Sequence, residues 1–247
     1  MMTGRKSRTG ETRRSHGGHT QLTSLILAAL FFVSIHVLVA GTRARDRFVA
    51  RMGENAYLAF FSLLSIAGLT WLCWAYASAP TIWLAAPAAW TRPLAWALVF
   101  LAFLLVVVGV TTPSPTSTGG DEQLDASEPA TGILRITRHP FLWGVALWAA
   151  AHLIANPDAA SLVLFASLLV LALVGPPSID AKRGRRFGDR WQRFAEATSS
   201  VPFAAILGGR NHLALSEIGL LRPAAAVALY AVFFWAHPWL FGVPAGS

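Results

Sequence analysis

The chain has 247 residues, 55% of them hydrophobic and 13% charged, with a net charge of +8 and a mean hydropathy of +0.52. A water-soluble domain of this length carries about 25% charged residues, so that class is excluded, and the long apolar blocks specify an all-α polytopic transmembrane helical bundle. The positive charge lies in the loops and the N-terminal tail, where anionic headgroups attract it, and the apolar blocks between them argue against a nucleic-acid partner.

Residues 1–20 are mostly Arg, Lys, Gly, Ser and Thr, with His16 and His19. They cannot bury enough apolar area to order themselves, so a disordered basic tail is predicted ahead of a transmembrane domain over 21–247. Basic residues before an apolar block resemble a signal peptide. Yet the block runs over 22–40, and Gly41-Thr42-Arg43 is a weak cleavage site, so the first span is read as uncleaved.

Apolar blocks predict about six spans, at 22–41, 57–78, 93–112, 141–156, 159–177 and 222–241, each near the ~20 residues that a bilayer needs. Cys73, the single cysteine, lies in the second block and packs there; one cysteine excludes a disulfide framework and a Cys-rich metal site. Several of the ten tryptophans stand at block ends as interfacial anchors, among them Trp83, Trp90 and Trp239. The fourth block opens on Arg135-Ile136-Thr137-Arg138-His139-Pro140. Pro140 suits a first helical turn, and its ring places His139 at or just before the cap. Blocks four and five are separated by Asn156-Pro157-Asp158, a tight-turn signal that makes them a hairpin.

Residues 178–221 read as a long basic connection, with an apolar piece at 199–206 that dips into the interface. Asp180 is placed either to cap a following helix or to pair with Arg138. Of the twenty Lys and Arg residues, four fall in 42–56, two in 113–140 and eight in 178–222, against one in loop two. The excess puts the odd loops in the cytoplasm and both ends outside; the five basic residues of the tail weigh the other way.

Four histidines lie in or beside spans: His36, His139, His152 and His237. Lipid offers an imidazole no partner, so each is a candidate functional residue; the structural alternative is a neutral ring bonded to a neighbouring helix. Depth separates them. His36 is about fourteen residues, roughly 20 Å, into span one, and His152 about eleven residues, roughly 17 Å, into the antiparallel span four. In a ~30 Å core the two lie within several ångströms of one plane. Two imidazoles facing each other at one depth is what a six-coordinate haem iron needs. His237 is nearer the opposite face and His139 is at the interface.

Beyond these, six pieces carry a resemblance: His36; Arg51-Met52-Gly53-Glu54; GILRITRHPFLWGVALWAAAHL at 132–153; Asp180 with Gly188 and Trp191; TSSVPFAAILGGR at 198–210; and AHPWLFGV at 236–243. Together they resemble the NnrU family of bacterial inner-membrane proteins, whose relatives include the zeta-carotene isomerases. The resemblance implies haem b held by His36 and His152, with Arg138 and His139 also on the cofactor side, Arg138 facing a propionate carboxylate. It further implies a redox-dependent cis–trans isomerase of a lipid-soluble polyene such as a cis-carotene, or a part in nitrogen-oxide metabolism and denitrification. In the plant motif a cysteine stands three residues before the second histidine; Ala149 occupies that position here, which removes an alternative ligand.

Two rival readings use the same residues. Membrane methyltransferases of the isoprenylcysteine or phospholipid type carry an Arg-His-Pro-x-Tyr-x-Gly stretch and a later acid pair before Phe-Gly. Arg138-His139-Pro140, Gly144 and Phe187-Gly188 fit that pattern, whereas Leu142 stands at the tyrosine position and Asp180-Ala181 at the acid pair. The other rival is a non-enzymatic haem sensor or assembly factor.

Overall fold

The computed structural model describes residues 8–117 and 119–245, with side chains from Thr20 onward. Among the described residues the regular structure is helical, apart from one isolated bridge between Trp83 and Asp158. The tail assignment falls largely outside them: residues 1–7 are not described, and for 8–19 only the backbone is, as the start of a helix. Five helices are long and apolar enough to cross a membrane, at Thr20–Ala40, Glu54–Ser78, Thr91–Val110, Ala159–Phe187 and Leu221–Phe241. A sixth apolar helix, Pro140–Ala155, has 16 residues, about 24 Å at 1.5 Å per residue. Large apolar side chains such as Leu63, Val110, Trp235 and Trp239 are exposed on these helices, as they are where lipid is the solvent.

The chain forms two compact units. The first comprises residues up to Pro87 together with Asn156–Leu171. Its first helix, α1 (Arg8–Ser34), runs on through a π-helical turn at Ile35–Ala40 and is followed by α2 (Ala44–Met52) and α3 (Glu54–Ser78). Leu25, Ala28, Ala29 and Phe32 of α1 are buried, as is Ile35 at the start of the π turn, a stripe at the three- and four-residue spacing of one helix face. α1 packs against α3, where Gly68 lets Phe31 and Phe32 lie against the α3 backbone. At the far end the loop after α3 pairs with 157–159, through Leu84 N–H to Pro157 O and Ala159 N–H to Ile82 O. Asp158 then caps the helix it opens by accepting from Ser161 N–H at 3.0 Å.

The second unit holds α4 (Thr91–Val110), α5 (Ile133–Ile136), α6 (Pro140–Ala155), the C-terminal part of α7 (Ala159–Phe187), α8 (Asp189–Ala197), α9 (Ala204–Leu207) and α10 (Leu221–Phe241). α4 and α6 approach most closely. A Cβ on Gly144 would meet Val106 Cγ2 at 2.6 Å and Ala102 O at 2.9 Å, and one on Gly109 would meet Pro140 Cγ at 2.9 Å. This is small-residue packing, which membrane helices use because lipid tails give apolar side chains no reason to cluster. α10 lies on α4 through Tyr230 against Phe100 and Phe103, and Phe234 against Trp96.

The region after α6 departs from expectation in one respect. The fifth span was to stop at 177, with an irregular connection to 221; instead α7 passes through Pro176 and Pro177 to Phe187, and α8 follows. Two prolines remove two backbone donors, yet the turns beyond them are fixed by side chains at Asp180 and Arg183. α8 buries Trp191 and Phe194 in a cluster with Val108, Leu124, Ile133, Leu134 and Ile136. The segment 199–207 exposes Val201, Phe203 and Leu207, the apolar face expected of an interfacial dip.

Candidate functional site

In the first unit, His36 sits in the π turn that ends α1; such turns recur at functional sites. Its Nδ1 donates to Phe32 O at 2.7 Å. A carbonyl can only accept, so Nδ1 bears the hydrogen and, in the neutral ring, Nε2 carries the lone pair. Phe32 lies 4.5 Å from the imidazole and Phe61 meets it edge-on at 5.3 Å, centroid to centroid. Phe61 in turn stacks on Tyr57 at 5.8 Å, and the Arg45 guanidinium covers the Tyr57 ring at 5.4 Å. Arg45 also donates to Glu54 at 3.0 Å. Tyr57 is 2% exposed and its hydroxyl meets no hydrogen-bond partner.

In the second unit, His152 lies in the last turn of α6. Its Nδ1 donates to Trp148 O at 2.8 Å, with the Trp148 ring 4.7 Å away. The geometry repeats that of His36: a hydrogen bond to the carbonyl four residues back, hence the same tautomer. His237 shares that tautomer through Val243 O at 2.6 Å, but it stands at the exposed end of α10. Ala149, one turn before His152, is fully buried.

Arg138 and His139 are brought together with Asp180. Arg138 donates through Nε and Nη2 to Asp180 Oδ2 at 3.0 and 2.6 Å, and His139 Nε2 meets Oδ1 at 2.8 Å. The open alternative for Asp180 is thus resolved in favour of the pair. The partners that the structure gives Arg138 and His139 are side chains and carbonyls of the chain itself. His139 O accepts from Trp143 N–H at 3.1 Å, which makes His139 the cap residue of α6, as Pro140 predicts.

Around this centre the two most distinctive stretches of the sequence are bonded to each other. Arg138 N–H donates to Ser199 O and Phe203 N–H to Ile136 O. Thr137 Oγ1 and Trp143 Nε1 both donate to Ser200 O at 2.7 Å. These bonds hold Phe203 at φ 65°, the one non-glycine left-handed residue among those described, a conformation that costs about 1–2 kcal/mol. Beside them, Arg135 clasps Glu217 with Nε at 2.8 Å and Nη2 at 2.9 Å, and Nη1 reaches Asn211 at 2.7 Å. The Arg135 bonds, with a further one from Gly132 N–H, hold the Glu217 carboxyl at a pKa of about 2, and the same pairing raises that of Arg135. Arg183 and Arg190 tie α7 and α8 to Asp121 and Asp125.

Sequence reasoning missed Tyr57 and Glu217. Tyr57 carried one signal, a phenol in the first turn of an apolar helix; Glu217 had none, because its partner is 82 residues away.

A family model described as "NnrU protein" matches residues 24–245. The 15-cis-zeta-carotene isomerase, chloroplastic, of Arabidopsis thaliana is 38% identical over 117 residues, covering 45% of this chain and 31% of that protein. The protein of the same description from Zea mays is 32% identical over 111 residues, 44% of this chain and 30% of its own length. The chain therefore spans about a third of the length of the curated relatives it matches. No solved structure matches.

Proposed function

Because the chain belongs to the NnrU family, we propose that it is a haem b protein of a bacterial inner membrane that turns a cis double bond of a lipid-soluble polyene, such as a cis-carotene, to trans. The observation that carries this reading is the shared state of His36 and His152. Each stands in an apolar helix with Nδ1 donating to the carbonyl one turn back, so that Nε2 bears the lone pair. Metal-ligating histidines are oriented in this way, by a hydrogen bond on the other ring nitrogen. Nitrogens of this kind are the donors that would hold a haem iron. A structural zinc site takes four protein ligands and a catalytic one three, and among the described residues no group of three His, Cys, Asp and Glu is placed to hold a metal ion. The names of the two plant relatives support a polyene as substrate.

When bound, haem supplies an iron centre able to draw electron density from a conjugated chain. The protein's own residues do the rest. Phe32, Phe61 and Trp148 provide aromatic walls beside the two imidazoles. The carbonyls of Phe32 and Trp148 fix which nitrogen is presented. His36 rides on a π turn, a rarer backbone state than the α-helix that carries His152. The Arg138–Asp180–His139 assembly anchors the start of α6, the helix that ends in His152. Isomerisation neither adds nor removes atoms, so no hydrolytic base is required.

The test is an absorption spectrum of the purified, haem-supplemented protein. A Soret band is expected, lost in both His36→Ala and His152→Ala while His237→Ala keeps it. A folded protein without Soret absorption overturns the haem assignment. A haem-loaded, reduced protein that leaves a cis-carotene unchanged overturns the isomerase and points instead to a sensor or assembly role.

A further inference from the structure

We infer that the Tyr57 hydroxyl is a hydrogen-bond donor to a carboxylate of the ligand that seats at His36, a tetrapyrrole propionate. The inference rests on the haem reading above and adds to it a residue that recognises the polar edge of the cofactor.

The starting point is an unsatisfied atom. Tyr57 is 2% exposed and its hydroxyl has no hydrogen-bond partner, whereas buried polar groups in folded proteins are nearly always bonded. An orphaned donor calls for an acceptor brought by a ligand or for a reason to tolerate it. Position supplies the acceptor. Phe61 lies between His36 and Tyr57, edge-on to the first and stacked on the second, so the imidazole and the phenol flank one ring. Tyr57 and Phe61 are four residues apart on one face of α3. Aromatic side chains on a helix lean toward its N-terminus, which directs the phenol oxygen toward the interfacial start of α3, away from the apolar stretch below.

A tetrapyrrole has the matching asymmetry. Its ring is apolar and both carboxylates lie on one edge, so a bound ring would lie deep with its propionates toward the interface. Arg45 reinforces the match: its guanidinium over the phenol ring withdraws electron density from the ring and strengthens the O–H as a donor. Its own charge is offset by Glu54 at 3.0 Å and Asp46 at 3.8 Å, which leaves Tyr57 as the group to test.

The experiment is a titration of the full chain in lipid nanodiscs, wild type and Tyr57→Phe, with hemin and with hemin dimethyl ester, read by Soret absorbance. Tyr57→Phe keeps the ring and removes one charge-assisted hydrogen bond, so hemin affinity falls by about 10-fold or more. With the ester, whose propionates are neutral, the gap between the two proteins narrows several-fold. The thermal midpoint of the ligand-free variant stays level or rises, because an orphaned hydroxyl has been removed. Equal hemin affinities overturn the inference, as does an undiminished gap with the ester or a lowered ligand-free midpoint. A folded wild type that binds neither compound overturns the haem reading itself and this inference with it.

Discussion

At the scale of single residues, the proposed haem site depends on which nitrogen of an imidazole is presented, and the fold on which charges are matched. Depth in the sequence singles out His36 and His152, but their tautomers are not legible there, because they depend on backbone carbonyls that every residue type supplies. The Arg135–Glu217 clasp gives a pH prediction. The Glu217 carboxyl is lowered from 4.5 to about 2, so its stabilising contribution is complete above about pH 4.5 and is lost as pH falls toward 2. Thermal unfolding followed between pH 6 and 2 tests this: Glu217→Gln is expected to flatten the acid limb relative to wild type. A variant with an unchanged acid limb would show the clasp to be irrelevant to folding. Nothing in the sequence around Glu217 announced the clasp, since a lone glutamate near a helix start reads as a capping or dipole residue.

At the scale of elements, the apolar blocks gave the helices to within a few residues, because a ~20-residue hydrophobic run has few other options in a bilayer. The end of α7 was not legible in the same way. Pro176-Pro177 is a strong stop signal in water, and what carries the helix past it is a set of side-chain bonds to segments tens of residues away. Close packing was equally hidden, since Gly144 and Gly109 look like any helical glycines until their neighbours are known. Gly144→Leu should force α4 and α6 apart, lowering stability by about 1–3 kcal/mol, measurable as a fall in the thermal midpoint in detergent. Leu63→Ala, on an exposed apolar position of α3, should leave that midpoint nearly unchanged. If the two substitutions behave alike, the small-residue contact does not hold these helices.

At the scale of the whole molecule, the ion pairs organise the topology. Asp121 with Arg183, Arg138 with Asp180, and Arg135 with Glu217 each join the segment between α4 and α6 to the C-terminal end of α7 or to the segment that follows it. The two regions therefore stand at one end of these helices, the end for which the clustering of basic residues predicts the cytoplasm. Substituted-cysteine labelling in a Cys73→Ser background checks the assignment. Ser117→Cys and Gly209→Cys should react with a membrane-impermeant reagent only after the inner face is opened, and Ala86→Cys should react from outside. The reverse pattern would invert the topology without disturbing the pairing of the segments.

The bonds that fasten 137–143 to 199–203 end chiefly on main-chain oxygens. Ser200 receives both Thr137 and Trp143, yet what it offers them is only its carbonyl. The fastening is therefore tolerant on one side and demanding on the other: a small neutral replacement at 200 still presents the acceptor, whereas Trp143 and Thr137 must each deliver a particular hydrogen. A screen for damaging changes in this region would find them on the histidine-bearing helix and its approach, even though the partner stretch supplies half of every bond.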